Sequence, residues 1–154
     1  MGNAIRPRIN RTMGGSQEIA DAAAAAKFAG DRNAHVMGII VFAVTPESTT
    51  VEMTVLKSMA NGLNVCRGGV VFALADRAMA FASSARGGTN LASNASIEWL
   101  APARVGDRLV AEASKTHHQG RTGLCGVVVS GPDGVVAVLH GETEHISDEG
   151  PVSQ

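Results

Sequence analysis

Residues 68–82 read Gly-Gly-Val-Val-Phe-Ala-Leu-Ala-Asp-Arg-Ala-Met-Ala-Phe-Ala, and this stretch decides the fold. From Val70 to Ala82 it is apolar nearly all round, broken only by Asp76 and Arg77. Leucine, methionine and five alanines favour helix, and a helix apolar on every side is a buried one. Gly68-Gly69 open it and Gly87-Gly88 stop it. The flanks are strand-like. Upstream, Val36 to Thr45 and Thr49 to Leu56 are β-branched runs separated by a Pro46-Glu47-Ser48 turn, followed by a loop from Lys57 to Cys66. Downstream lie Ala95 to Leu100, Arg108 to His117, Gly123 to Ser130 and Val135 to His145. Gly131-Pro132-Asp133-Gly134 joins the last two as a hairpin. Ahead of everything, Ser16 to Phe28 reads as a helix with Ser16 as cap, Glu18 in its first turn and Gly30 at its end. The order predicts an α+β fold, a largely antiparallel sheet of five to six strands wrapped around one long buried central helix.

The chain has 154 residues, enough for one domain and too few for two comfortable ones. We expect a flexible tail over 1–15, a single domain over 16–147 and a C-terminal tail over 148–154. Hydrophobic residues make up 45%, which excludes global disorder. Thirteen Lys and Arg against 14 Asp and Glu leave a net charge of −1, so no electrostatic case for nucleic acid exists. No apolar run approaches a membrane span and no signal peptide is legible, so neither membrane nor export is expected; the expected compartment is cytoplasmic. Two cysteines, Cys66 and Cys125, make no disulfide framework and fit a reducing compartment. Charged residues reach only 18%, which points to surface hidden in an oligomer.

Asp76 is the most informative residue. A carboxylate within an apolar helix is costly unless paired, hydrogen-bonded or protonated. It reads equally as a working group, as one half of a structural ion pair, or as an exposed stripe. Arg77 is an awkward direct partner, because adjacent helical positions point about 100° apart. Arg67-Gly68-Gly69 is the second feature. Glycines there leave free N–H groups at the positive helix end, ready for an oxyanion or a polarised carbonyl, or they simply permit a tight turn or close packing. Eight residues separate Gly68 from Asp76, so along a helix they stand ~12 Å apart. If both act on one carbonyl, the aspartate must come from a second subunit whose helix runs antiparallel.

Other candidates are weaker. His117 and His118 are strand neighbours and should point to opposite faces. His140, Glu142 and Glu144 share a strand face that reads as solvated, and no metal is expected. Cys66 precedes the helix and reads as a packed residue or a nucleophile. Phe72 lies one turn before Asp76 on the same stripe and is the best candidate for a wall of a substrate pocket, or else core.

The run Asn61-Gly62-Leu63-Asn64-Val65-Cys66-Arg67-Gly68-Gly69, continued to Asp76, resembles the signature of hot-dog-fold acyl-CoA thioesterases, PaaI type. Ser96-Ile97-Glu98-Trp99-Leu100-Ala101-Pro102, Gly106-Asp107-Arg108-Leu109 and His118-Gln119-Gly120-Arg121 are similar as well, and the resemblance spans roughly 35–146. It implies a curved antiparallel sheet around the helix, assembled as a homodimer and then a dimer of dimers. It implies Asp76 as nucleophile or general base across the interface, the Gly68 N–H as carbonyl polariser, and Asn61 as an orienter of substrate or water. Arg67, with Gly69 and Phe72, would contact substrate, although Arg67 replaces the family's histidine before Gly-Gly and can bind carboxylate or phosphate.

The expected activity is hydrolysis of an acyl- or aryl-CoA to acid and free CoA. No cofactor is expected, since coenzyme A is part of the substrate. A non-catalytic acyl-CoA-binding or regulatory hot-dog protein is the alternative; a hydratase of the same fold is disfavoured for want of an Asp/His pair. Arg86, Arg104, Lys115 and Arg121 are the basic residues available for the CoA phosphates.

Overall fold

Alternation of buried and exposed side chains along the strands explains the sheet. In the computed structural model, which describes residues 14–149, β1 (Ile40–Val44) and β2 (Ser48–Thr54) form a hairpin. A 3₁₀ turn at Lys57–Met59 then leads into α3 (Gly68–Ser84). After it come β3 (Thr89–Trp99), β4 (Arg108–Gln119), β5 (Thr122–Gly131) and β6 (Gly134–Ser147). All neighbours pair antiparallel in the order β1-β2-β4-β5-β6-β3. Val51 and Met53 on β2, Leu109, Ala111 and Ala113 on β4, Val127 and Val129 on β5, and Ala137 and Leu139 on β6 all point inward and are buried. Their shared face receives α3, which touches five strands, β2 to β6.

The helix is buried on one side only. Val71, Leu74, Ala75, Ala78, Met79, Phe81 and Ala82 are buried. The opposite stripe, Gly69, Phe72, Ala73, Asp76, Ala80 and Ser83, is half-buried or exposed. Fit against the sheet is close. A Cβ at Gly141 on β6 would collide with the Met79 sulfur, so β6 has a bare Cα where α3 crosses it.

Several boundaries differ from the sequence reading. The first helix, α1, spans Gly14–Gly30, so Ser16 lies inside it and is not its cap. A short helix, α2 (Arg32–Val36), ends where the first strand was expected to begin; Asp31 caps it by accepting from the Ala34 N–H at 3.0 Å. Gly38, at φ +66°, then redirects the chain into β1. The edge strand β3 begins six residues earlier than expected, because pairing with β6 carries the polar run from Thr89 to Asn94. The hairpin at Gly131–Gly134 is as expected. Most of the expected N-terminal tail, and residues 150–154 of the C-terminal one, lie outside the described residues. At the near end of that C-terminal stretch, Asp148 meets His145 at 3.0 Å and the Glu149 carbonyl accepts from Thr89.

The α1 helix docks on α3 through small residues. Ala20 and Ala24, one turn apart, are buried. From the same helix Lys27 Nζ donates to the Ala80 carbonyl at 3.1 Å and to Ser84 Oγ at 2.9 Å.

The Gly141–Met79 contact gives a direct test of the packing. Gly141→Val should cost about 1–3 kcal/mol by overpacking, and Met79→Ala about 2–5 kcal/mol by leaving a cavity. Because the two side chains would occupy one space, the double variant should lose clearly less than the sum of the two. Urea denaturation of the four proteins measures this; strict additivity would contradict the packing described.

Candidate active site

The loop before α3 is built to present backbone amides. Asn61 Oδ1 accepts from the Leu63 N–H at 2.9 Å and the Val65 N–H at 3.2 Å, a side-chain-closed turn. Asn64, at φ +57°, completes the reversal. Cys66 N–H then donates to the Ala103 carbonyl and Arg67 N–H to the Met59 carbonyl, pinning the chain on both sides. Arg67 is extended at φ −61°, ψ 136° and makes no side-chain cap. The N–H groups of Gly68 and Gly69 therefore emerge at the positive end of α3 with no acceptor among the described residues.

The two glycines differ. A Cβ at Gly68 would stand 3.1 Å from the indole of Trp99, whose Nε1–H donates to the Gly68 carbonyl at 3.2 Å. Close packing is thus one reason for that glycine. Gly69 has nothing among the described residues within 4 Å of the place its Cβ would take, so none of them requires a glycine there. A cavity of about 400 Å³ opens beside these residues, lined by Asn61, Arg67, Gly68, Val71, Trp99 and Pro102 among others.

Asp76 sits two turns further on, in the middle of the open stripe, its side chain 27% exposed. Contrary to the helical-wheel expectation, Arg77 is its direct partner: Nη2 donates to Asp76 Oδ2 at 3.2 Å. The arginine stem is long enough to turn its head back across the 100° between adjacent positions. Its other nitrogen, Nη1, donates to Asp31 Oδ2 at 2.6 Å. Lys27 stands near this group. Burial pushes its pKa down and Arg77 pushes it further, while Asp76 and Asp31 pull it up. Phe72, one turn before Asp76, is half-buried and packs partly on the core.

A second cavity, about 460 Å³, lies at the far end of α3, bordered by Ser83, Arg86, Lys115, His117, His118 and His145 among others. The β4–β5 register shifts between Lys115 and His117, and both histidines border the same cavity. Arg86 pairs with Glu47, and burial lowers the Lys115 pKa. Arg121 is engaged with the His145 carbonyl at 3.0 Å and, at 3.8 Å, with Glu144. His140, Glu142 and Glu144 are on an exposed face, and no group of three or more potential metal ligands occurs among the described residues.

The family model of the thioesterase superfamily matches residues 63–138. The acyl-coenzyme A thioesterase PaaI of Escherichia coli is 34% identical over 122 residues, 79% of this chain and 87% of that one. A putative esterase of Archaeoglobus fulgidus is 35% identical over 102 residues, 66% of each. Among solved structures, E. coli PaaI, from the phenylacetic acid degradation operon, superposes with a TM-score of 0.84 at 31% identity, covering 86% of this chain and 97% of that one. An N33D mutant of the phenylacetic acid degradation protein PaaI from Thermus thermophilus gives 0.73 at 27%, covering 75% of this chain and all of that one.

Both thiols are packed. Burial raises the Cys66 pKa, and raises that of Cys125 to about 11 from 9.0. An unfolded chain would release the Cys125 proton near pH 9.0 while the fold holds it to about 11. The unfolded state then binds fewer protons across that window, so Cys125's contribution is complete below pH 9.0 and falls as pH rises to about 11. Thiol titration with a disulfide reagent at pH 8 should find Cys125 blocked until denaturant is added; rapid labelling of the native protein would contradict this burial.

Proposed function

The chain belongs to the thioesterase superfamily, PaaI type, and is a thioester hydrolase; we propose that it hydrolyses an acyl- or aryl-CoA to the free acid and CoA at a site shared by two subunits. One observation carries this reading. A single unbroken helix, α3, presents free amides at Gly68 and Gly69 and a carboxylate at Asp76 two turns away. The ~12 Å between them is too long for both to meet one carbonyl within one chain. An antiparallel second copy closes that gap, and its two-fold symmetry yields two equivalent sites.

Two features of the fold support such a dimer. The half-exposed stripe of α3 around Asp76 is left open by its own sheet. The edge strand β3 is exposed on both faces from Leu91 to Asn94, a template for pairing with another chain. Antiparallel helices with Gly68 of one beside Asp76 of the other place residue 72 midway, on the two-fold axis. Phe72 would then stack against its own copy while bordering both sites. Gly69, free of neighbours in its own chain, would leave room for the approaching substrate. We extend the dimer to a dimer of dimers on the resemblance alone.

In the reaction, the thioester oxygen accepts from the Gly68 N–H, which becomes a stronger contact as negative charge grows on that oxygen. Asp76 of the other subunit supplies the carboxylate. As nucleophile it forms a C–O bond while the C–S bond breaks and CoA thiolate leaves; water then cleaves the mixed anhydride to the acid and restores the carboxylate. As general base it takes a proton from water, whose oxygen makes that C–O bond instead. Asn61 spends its carbonyl on the loop, so only its NH₂ is left to orient substrate or water. Arg67 lies at the cavity mouth as a cation for substrate carboxylate or phosphate. Arg86 and Lys115, with the histidines around them, are suited to the phosphates at the other end of α3.

Thiol release from a panel including phenylacetyl-CoA and octanoyl-CoA tests the assignment. Asp76→Asn should lose about 10²–10⁴-fold in kcat. Gly68→Pro removes the amide at the first helical position, where proline fits, and should lose about 10²–10³-fold. Gly68→Ala keeps the amide and should lose far less, which separates the lost donor from the push on Trp99. Undiminished turnover in Asp76→Asn would overturn the mechanism. Ester binding without turnover in the parent protein would leave a binding protein.

A further inference from the structure

Arg77 makes an arrangement that stability does not explain. Its guanidinium spans two carboxylates from different elements, Asp31 at the cap of α2 and Asp76 on α3. Its Nε is buried without a hydrogen-bond partner among the described residues. An unsatisfied buried donor costs about 1–3 kcal/mol, and partly buried ion pairs are rarely net stabilising. A leucine or methionine at 77 would cover the same surface without these costs. What the guanidinium does achieve is geometric. It holds Oδ2 of Asp76 at 3.2 Å, while Oδ1 has no partner among the described residues. One oxygen is tied and the other is left for chemistry.

The anchor has its own anchor. Asp31 is nearly buried, and its two oxygens are both committed, Oδ1 to the Ala34 N–H and Oδ2 to Arg77. A helix cap is a rigid post, since moving the carboxylate would uncap α2. On the other side of the same group, Lys27 from α1 is fastened to the Ala80 carbonyl and Ser84. The charged groups facing Asp76 from the elements around it are therefore Lys27 of α1, Asp31 of α2 and Arg77 of α3.

We propose that Asp31 and Arg77 form a positioning relay that fixes the rotamer of Asp76, so that the segment preceding the sheet sets the aim of the reacting carboxylate. The proposal rests on the catalytic role given to Asp76 above. Arg77 touches the carboxylate and not the substrate; it is a positioning residue, and Asp31 acts through it. A freed aspartate would sample its rotamers and spend less time aimed at the carbonyl, which lowers kcat with little effect on substrate binding.

The test uses Arg77→Gln, Arg77→Lys, Asp31→Asn and the double variant Asp31→Asn/Arg77→Gln in steady-state thiol release, with melting temperatures measured alongside. Asp31→Asn is the informative change, because asparagine caps a helix as well as aspartate yet removes the anion that holds Arg77. Arg77→Gln should lower kcat at least tenfold with KM within twofold. Asp31→Asn should lower kcat several-fold with its melting temperature kept, and the double variant should be no worse than Arg77→Gln. Arg77→Lys, which keeps the charge, should recover part of the rate. A kcat within twofold of the parent in both Arg77→Gln and Asp31→Asn, or losses that multiply in the double variant, would overturn the relay. Asp76→Asn, run in parallel, separates the two readings: if it retains activity, the catalytic assignment fails; if it is inactive while Arg77→Gln is not, only the relay fails.

Discussion

Everything in the proposed site depends on the stiffness of α3. An α-helix cannot shorten, so the two turns between Gly68 and Asp76 hold an amide donor and a carboxylate ~12 Å apart in any one chain. The fold makes this spacing permanent by burying one side of the helix. What remains free is the opposite stripe, with Asp76 at its centre. In the proposed mechanism a single subunit carries both halves of the carbonyl site and cannot bring them together by itself.

The same economy shapes the elements around the helix. Its N-terminus is held by Met59 and Ala103 through the amides of Arg67 and Cys66, so the amides of Gly68 and Gly69 are the next ones available. Its middle is braced by α1 and α2, through Lys27 and through the Asp31–Arg77 pair. Its far end meets the cationic cavity around Arg86 and Lys115. The carbonyl contact, the aimed carboxylate and the phosphate site proposed above would then be spread along one rod, each supported by a different neighbour.

The architecture was legible where pattern and packing agree. The apolar run with its bounding glycines announced α3, and Gly131-Pro132-Asp133-Gly134 announced the last hairpin. Legibility failed where pairing or reach overrides local pattern. The mostly polar stretch from Thr89 to Asn94 shows no alternation, being half-buried at Thr89 and Asn90 and exposed from Leu91 on; only β6 makes it a strand. At five residues, α2 was too short to show a periodic pattern, and its sole signal was Asp31 after Gly30. Neighbouring positions on a wheel diverge, which hid the Asp76–Arg77 pair because the wheel ignores side-chain length. No pattern in the sequence of β4 marked the bulge after Lys115. Asp76, Gly68 and Asn61 were all visible as candidates, but the commitment of the Asn61 oxygen to its own loop was not.

The central claim is that the two halves of the site come from different chains, and subunit exchange tests it most directly. Asp76→Asn and Gly68→Pro proteins, each inactive alone, would be mixed in equal amounts, dissociated and reassembled. In a hybrid dimer one site receives both lesions and the other receives neither. Random reassembly should therefore restore about a quarter of parental activity. Activity that stays at the level of the separate variants, with hybrid dimers demonstrably formed, would place the whole site within one chain and contradict the account.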